Sequence, residues 1–253
     1  MQVTIVPSSQ PGQLSQLFTS YVIDGRVAID AGCLEGVGSV EDMSRIKHIF
    51  LTHSHLDHVS SLGPFLDAVY DGSGDCVQIY GNAHTLECLR KDIFNNRLYP
   101  DFVHISTFRP PYLVLHELVP GVAVNVGGLR ITPVEVDHVV PTLGFIIEDD
   151  HSAVVIPSDT APTEAIWVEA ARRTNLAAVF LECTFPNEMG WLAELARHLT
   201  PNLYAVEVTK LGRPMRYITV HLHPRHRPIV EVELLAKQLP GVEIGIAGKT
   251  YIF

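Results

Sequence analysis

Short runs rich in β-branched residues alternate with turn residues in the first part of the chain. The segments 3–6, 21–23 and 27–30 have the composition of strands, and the Asp24-Gly25 step between the last two is typical of a tight hairpin turn. The apolar segment 48–51 has the pattern of a buried strand. The pattern therefore predicts a sheet of short strands in this part of the chain.

Helical spacing and strand-like runs alternate along the rest of the chain. Ser39 and Asp42 resemble a capping box at a helix start, and Thr200-Pro201 predicts an N-cap followed by a first helical residue. Further helices are predicted over 83–94, 162–175 and 231–238, and strands over 122–126, 131–136, 153–156, 178–181, 217–220 and 250–253, the last as an edge strand. Two mixed halves of this kind predict an α/β fold, an α/β/β/α sandwich with its site at strand ends, in one domain spanning residues 1–253.

Composition places the chain of 253 residues, 47% apolar and 18% charged, in the compact globular class. The formal net charge of −10 argues against a nucleic acid held mainly by phosphate contacts, although a bound metal reverses the local field for a small anion. The four cysteines lack the spacing of a zinc ribbon or a CxxC motif and are predicted to be free thiols. The sequence has no signal-peptide pattern and no long apolar stretch, which predicts a cytoplasmic protein without a membrane segment.

Four metal-ligating side chains fall within six positions directly after a predicted strand: His53, His55, Asp57 and His58. Imidazole nitrogens and carboxylate oxygens are the ligands that zinc and neighbouring divalent ions prefer. On extended backbone His53 and His55 point to the same side, and a turn from Leu56 onward directs the other two side chains to a second point nearby. The segment therefore predicts ligands for two metal ions.

Three further candidate ligands each follow a strand-like run: His138 after 131–136, Asp159 after 153–156, and His221 after 217–220. The predicted fold places its site at strand ends. This recurrence is therefore the strongest evidence in the sequence for a metal centre.

The segment from His53 to His58 has the pattern HxHxDH, and the chain resembles the metallo-β-lactamase superfamily over nearly its whole length. The resemblance implies a metallo-β-lactamase-type α/β/β/α sandwich with two divalent metal ions, zinc first, with manganese or iron as alternatives. It implies one metal held by His53, His55 and His138, a second held by Asp57, His58 and His221, and Asp159 as the bridge between them. Asp30 matches the strand-end aspartate that supports the site in the family.

Within the superfamily the chain is most similar to class II cyclic-nucleotide phosphodiesterases, in the segments 53–59, 93–100 and 179–186. Asp159 stands where β-lactamases of the family have a cysteine, which favours hydrolysis of a phosphodiester or thioester. The chain departs from the family pattern at Gly63-Pro64, which interrupts an apolar stretch, and at Pro157-Ser158, where a glycine is usual. These departures bear on the substrate more than on the metal ligands.

Three residues are predicted to be catalytic, one from the chemistry of a metal-bound hydroxide and two from the resemblance. Two metal ions about 3.5 to 4 Å apart can share a hydroxide at neutral pH, and Asp57 would hold that hydroxide in line for attack. Glu182 and His198 resemble the Glu and His pair of superfamily phosphodiesterases, in which His198 would protonate the leaving oxygen and Glu182 would orient its ring. Alternatively, Glu182 caps a neighbouring helix and His198 merely precedes the Thr200 cap.

The predicted reaction is hydrolysis of a small-molecule 3′,5′-cyclic nucleotide to the 5′-monophosphate. One alternative is ribonuclease Z-like processing of transfer RNA, which the same residues would serve. The acidic charge argues against it, as does the interval of 159 − 138 = 21 positions from His138 to Asp159, where that family commonly carries an RNA-clamping arm. A second alternative is a metal-bound sensing module without turnover. The sequence leaves open the native metal, the base preference and whether the chain forms a homodimer.

Overall fold

The computed structural model describes residues 1–8 and 17–253 and contains two seven-stranded sheets. The strands are β1 (Gln2–Ile5), β2 (Tyr21–Ile23), β3 (Val27–Ile29), β4 (His48–Phe50), β5 (Val77–Gly81), β6 (Leu113–Glu117), β7 (Val124–Val126), β8 (Leu129–Val136), β9 (Thr142–Glu148), β10 (Ala153–Ser158), β11 (Leu176–Glu182), β12 (Arg216–Val220), β13 (Val242–Ile244) and β14 (Thr250–Ile252). The α-helices are α1 (Val40–Met43), α2 (Leu56–Val59), α3 (Leu62–Val69), α4 (Ala83–Cys88), α5 (Phe102–Ile105), α6 (Ala165–Ala171), α7 (Gly190–Ala196), α8 (Pro201–Glu207) and α9 (Arg227–Ala236).

The chain divides into two compact units, each built on one of the sheets. The N-terminal unit comprises Gln2–Val119 and Ala247–Ile252, and the C-terminal unit comprises Met1, Pro120–Ile246 and Phe253. The prediction of one domain spanning all 253 residues stays a prediction.

The N-terminal unit contains the sheet with strand order β14-β1-β2-β3-β4-β5-β6. Its strands are antiparallel from β14 to β3 and parallel from β3 to β6. Leu62, Phe65 and Leu66 of α3 are buried in the apolar core of this unit. Because β3 and β4 are parallel neighbours, the residues that follow them emerge at the same edge of the sheet.

The C-terminal unit contains the sheet with strand order β13-β12-β11-β10-β9-β8-β7, parallel from β13 to β10 and antiparallel from β10 to β7. The Glu207 carboxylate is fully buried in this unit, where it accepts a hydrogen bond of 2.6 Å from Trp167 Nε1 and pairs with Lys210 at 2.7 Å. A buried charge without partners is costly, so the Glu207 carboxylate must keep these contacts. The hydrogen bond from Trp167 of α6 therefore holds α6 to the end of α8. The parallel strands β10, β11 and β12 again end at one edge.

Most predicted elements are present, and the predicted α/β class is confirmed. Ser39 caps α1 through the predicted capping box with Asp42, and Thr200 caps α8 with Pro201 in its first turn. Strand β14 lies at the edge of its sheet, as the terminal run predicted. The cysteines are free, and no helix in the described part of the chain is both long and apolar enough to cross a membrane.

Several predicted boundaries are wrong. The helix predicted over 162–175 is confined to α6, because the chain before it is held in a loop in which Thr163 N–H donates to Glu207. The helix predicted over 231–238 begins earlier, at Arg227. The prediction lacked α3, α5, α7, β5, β6, β9 and β13. In α3 the proline at position 64 lies in the first turn, where its missing N–H breaks no hydrogen bond.

Candidate metal centre

The N-terminal unit brings together the residues that follow β3 and β4. Asp30 comes directly after β3, is 1% exposed, and has a left-handed backbone with φ of +62°. Its N–H donates to the carbonyl of Phe50 at 2.8 Å, and its carboxylate accepts the Thr52 N–H at 2.8 Å. Left-handed backbone at a non-glycine residue is sparsely populated and clusters at functional sites. The aspartate predicted to support the site is therefore fixed at the start of the histidine run.

Asp30 orients two of the predicted histidine ligands. Its Oδ2 accepts His58 Nδ1–H at 2.7 Å and the Thr52 hydroxyl proton at 2.9 Å. Because the Thr52 hydroxyl has only one proton to give, its oxygen accepts from His53 Nδ1, which lies 2.9 Å away. Burial raises the pKa of the Asp30 carboxyl, and the nearby His58 and the hydrogen bonds from His58 and Thr52 counter that rise.

The four predicted ligands of this unit fall into two pairs. His53 Nε2 lies 3.0 Å from His55 Nδ1, and His58 Nε2 lies 3.5 Å from Asp57 Oδ2. The predicted turn after His55 is the single helical turn α2. This turn begins after His55 and carries Asp57 and His58, so the second pair lies on a different piece of backbone from the first.

The C-terminal unit places predicted residues at the ends of its parallel strands β10, β11 and β12. Asp159 follows β10, Glu182 ends β11, and His221 follows β12. The backbone is left-handed at Ser158 with φ of +64° and at His221 with φ of +54°. Both positions are strained for a residue with a β-carbon, since only glycine adopts this conformation without steric cost.

Asp159 lies close to two histidines of its own unit. Its carboxylate offers a ligand atom within 4.8 Å of one on His138 and within 4.8 Å of one on His221, and the contact with His221 Nε2 is 3.4 Å. His138 Nδ1–H donates to the carbonyl of Arg197 at 3.0 Å. The backbone of Arg197 is left-handed, with φ of +54°. A carboxylate next to two histidines has the position that a bridging ligand needs.

Glu182 accepts hydrogen bonds at both carboxylate oxygens although it is only 1% exposed. Its Oε1 accepts from His198 Nδ1 at 2.8 Å and from Thr160 N–H at 3.1 Å. Its Oε2 accepts from the Thr184 hydroxyl at 2.7 Å, from Thr184 N–H at 3.1 Å and from Leu199 N–H at 3.2 Å. The carboxylate therefore holds His198 with Nδ1 protonated, which leaves Nε2 as the atom that can exchange a proton.

The histidine nitrogens and aspartate oxygens grouped in each unit have the chemistry of ligands for divalent metal ions. His53, His58, His138 and His221 each have Nδ1 within hydrogen-bond distance of an oxygen in their own unit, and this geometry favours a neutral ring with its proton on Nδ1 and an unprotonated Nε2. Bare Nε2 then faces a carboxylate oxygen at 3.4 Å in His221–Asp159 and at 3.5 Å in His58–Asp57. Two electron-pair donors at such a distance attract a cation, and a fixed Nδ1–H contact is typical of ligand histidines.

Three groups that orient the site were not predicted from the sequence. Thr52 directly precedes His53, and Thr184 lies two positions after Glu182; both hydroxyls are buried. A hydroxyl so close in sequence to a predicted ligand or carboxylate is the signal that could have identified them. The Arg197 carbonyl gives no such signal, because any residue supplies a carbonyl and its contact with His138 spans 59 positions.

A family model described as a beta-lactamase superfamily domain matches residues 31–222. A ribonuclease Z of Mycobacterium bovis is 29% identical over 157 residues, covering 58% of this chain and 55% of that protein. A probable 3′,5′-cyclic-nucleotide phosphodiesterase of Yersinia pestis is 26% identical over 235 residues, covering 79% of this chain and 64% of that protein. The chain thus matches less than two thirds of the length of either relative.

The crystal structure of unliganded yeast PDE1 superimposes with a TM-score of 0.83 at 18% identity, covering 100% of this chain and 99% of that one. A metallo-beta-lactamase fold protein of Bacillus subtilis superimposes with a TM-score of 0.76 at 18% identity, covering 99% of this chain and 98% of that one. Together with the family model, this likeness confirms the predicted metallo-β-lactamase type of α/β fold. Because the family model takes in roughly three quarters of the sequence, we conclude that the chain belongs to the beta-lactamase superfamily.

Proposed function

We propose that this chain is a dinuclear metal-dependent phosphodiesterase that hydrolyses 3′,5′-cyclic nucleotides to 5′-monophosphates. The observation that carries the proposal is the position of Asp159, close to a ligand atom of His138 and of His221 at once. Beside it, Glu182 fixes the ring of His198, a group able to give a proton to a leaving oxygen. The combination supports metal-assisted hydrolysis with a separate proton donor.

The proposed ligands combine the pairs of the two units as the family resemblance implies. By that resemblance, His53, His55 and His138 would hold one metal, Asp57, His58 and His221 would hold the other, and Asp159 would serve both. We propose zinc first and manganese or iron as alternatives, because mixed imidazole and carboxylate sites accept all three. This assignment includes the proposal that residues 1–253 act as a single domain.

The chain's own residues have distinct roles in the proposed reaction. When bound, two divalent ions supply an activated water and stabilise charge on the phosphate. Asp57 accepts a hydrogen bond from the attacking water and holds it in line with the phosphorus. His198 donates its Nε2 proton to the leaving 3′-oxygen, and Glu182 stabilises the positive charge of the ring through Nδ1–H.

Two findings favour a cyclic nucleotide over RNA. The relative described as a probable cyclic-nucleotide phosphodiesterase matches 79% of the chain, whereas the ribonuclease Z match covers 58%. Residues 138–159 form β9 and β10 with short connections and contain no extended arm. A small-molecule substrate, no nucleic-acid partner and cytoplasmic residence remain parts of this proposal, and a homodimer stays open.

Ribonuclease Z-like cleavage of precursor transfer RNA is the second candidate function. It is favoured by the 29% identity to the mycobacterial ribonuclease Z, which exceeds the 26% identity to the phosphodiesterase. The donor sets and the Glu182–His198 pair would serve either phosphodiester.

The experiment is hydrolysis of cyclic AMP, cyclic GMP and a precursor transfer RNA by zinc- or manganese-loaded protein, with a chelator-treated control. Chelator-sensitive release of a 5′-nucleotide from a cyclic substrate supports the proposal. Cleavage of the RNA alone supports the second candidate. Metal content by elemental analysis with no hydrolysis of any of the three would contradict both and favour a metal-bound sensing module.

A further inference from the structure

The hydroxyl of Thr184 lies between the proposed proton-donor pair and a proposed metal ligand. Thr184 is 3% exposed, and its Oγ1 is 2.7 Å from Glu182 Oε2, 2.9 Å from His221 Nδ1 and 3.0 Å from the His221 carbonyl oxygen. His198 Nδ1, which contacts the other Glu182 oxygen at 2.8 Å, lies 3.3 Å from the same hydroxyl. One side chain thus contacts every member of this cluster.

The single hydroxyl proton of Thr184 determines which atoms donate and which accept in this cluster. A hydroxyl has one proton to donate, and a buried carboxylate at the shortest distance is its strongest acceptor. The carbonyl of His221, the next possible acceptor, competes for the same proton. In either case the proton points away from His221 Nδ1, so the ring nitrogen must be the donor and the threonine oxygen the acceptor.

We propose that Thr184 is a positioning residue that holds His221 in the tautomer with Nδ1 protonated and Nε2 bare. Glu182 then orients two histidines, His198 directly and His221 through the threonine hydroxyl. The proposal rests on the metal site of the proposed function and is independent of the substrate.

The C-terminal unit does not depend on the hydroxyl to keep this loop in place. The Thr184 N–H donates to Glu182 Oε2 at 3.1 Å and to the carbonyl of Leu199 at 3.1 Å, and the Thr184 carbonyl accepts His223 N–H at 3.2 Å. These main-chain contacts survive replacement of the side chain. Valine has nearly the shape of threonine without the hydroxyl, so Thr184→Val removes the proposed relay with little change in packing.

The N-terminal unit contains a second example of the same arrangement. Thr52 donates to Asp30 and accepts from His53, while Asp30 also accepts directly from His58. Each unit therefore has a buried carboxylate that orients one histidine directly and a second through a threonine. The repetition indicates that the hydroxyl has a defined role in tautomer selection.

The test compares Thr184→Val, Thr184→Ser and a control, Thr219→Val. Thr219 is a fully buried threonine of β12 whose hydroxyl donates to Tyr204 at 2.9 Å, so its loss measures the general effect of removing a buried hydroxyl. The first readout is the tautomer of His221 in metal-free protein, from ¹⁵N NMR shifts assigned with His221→Gln. The second is the affinity for zinc alone.

In Thr184→Val we expect the His221 proton to move to Nε2 in a large share of molecules and zinc affinity to fall about 10- to 100-fold. Thr184→Ser should keep the wild-type tautomer and affinity, and so should Thr219→Val. A wild-type tautomer and zinc affinity in folded Thr184→Val would overturn the proposal. A folded Thr184→Ser variant that loses the wild-type tautomer and zinc affinity would overturn it as well. If the valine variant does not fold, Thr184→Ala takes its place in the same comparison. If wild-type protein binds no zinc, the metal site of the proposed function fails, and the tautomer measurement still decides the role of Thr184.

Discussion

The carbonyl oxygen of Asp57 lies 2.0 Å from the position that a β-carbon at residue 32 would occupy. Gly32 therefore allows the main chain carrying two proposed metal ligands to pack directly on the loop that follows β3. The contact is reinforced because the Asp57 carbonyl accepts Thr19 N–H at 2.7 Å and the Gly32 carbonyl accepts the Ser60 hydroxyl at 2.8 Å. The location of Asp57 thus depends on a missing side chain.

The first prediction concerns Gly32→Ala. The added methyl group must displace the Asp57 carbonyl or the main chain of Thr19, and forced overpacking of this kind costs about 1–3 kcal/mol. We expect a lower free energy of unfolding by urea and weaker zinc binding. Gly190→Ala is the matched control, since no atom of residues 1–8 or 17–253 outside its immediate helix neighbours lies within 4 Å of its added β-carbon. Equal zinc affinity in both variants would show that Asp57 is not positioned through Gly32.

The second prediction separates metal binding from proton donation. His55→Ala should remove metal and activity together, because it deletes a proposed ligand. His198→Ala should keep wild-type metal content while slowing turnover by about 10² to 10⁴-fold, the usual contribution of a general acid. Metal content by elemental analysis and kcat on the best substrate check both. An undiminished rate in metal-replete His198→Ala would eliminate the proton-donor role.

The third prediction concerns Ser158, whose left-handed backbone precedes Asp159. Its hydroxyl is buried without a hydrogen-bond partner among the described residues, and its β-carbon is strained at φ of +64°. Ser158→Gly should therefore stabilise the protein by about 1 kcal/mol, since strain relief and loss of an unsatisfied hydroxyl together exceed the entropy cost of glycine. Ser158→Ala removes the hydroxyl alone and should give a smaller gain. Thermal unfolding of the three proteins measures the two contributions, and a less stable glycine variant would refute the strain argument.

The sequence predicted elements where local signals agree with the fold. The Ser39 capping box and the Thr200 N-cap are local patterns, and both occur in the structure. The helix Leu62–Val69 was missed because a glycine and a proline follow its first residue, and the sequence alone does not show that they lie in the first turn. The strand Thr142–Glu148 is buried along nearly its whole length, so it lacks the alternation that distinguishes a strand from a helix.

The sequence could predict the parts of the candidate site that are formed by side chains of a recognisable chemical type. The proposed metal ligands were predicted by residue type and by their place after strands, and each unit groups its own members. Glu182 and His198 were predicted only from the resemblance to superfamily phosphodiesterases. Contacts through the main chain were not predictable, because the Arg197 carbonyl that orients His138 depends on the backbone turning left-handed after α7. The threonine relays also escaped prediction, since the direction of a hydroxyl proton depends on two acceptors that only the structure brings together.

The fourth prediction concerns the reactivity of the four thiols. Burial raises the pKa of Cys33 to about 12 and places that of Cys183 well above its ordinary value, whereas Cys76 and Cys88 are partly exposed. Since the ordinary pKa of a thiol is 9.0, the thiolate fraction of Cys33 at neutral pH is about 10³-fold lower than that of a thiol with the ordinary pKa. Burial also blocks the approach of a reagent to the sulfur.

Iodoacetamide on native protein should therefore modify Cys76 and Cys88 and leave the other two intact, while denatured protein should take up four groups. Peptide mass spectrometry of both samples checks this. Modification of Cys183 at the rate of Cys88 would mean that the segment carrying Glu182 and Thr184 opens readily to solvent. That result would contradict the fixed geometry on which the orientation of His198 and His221 depends.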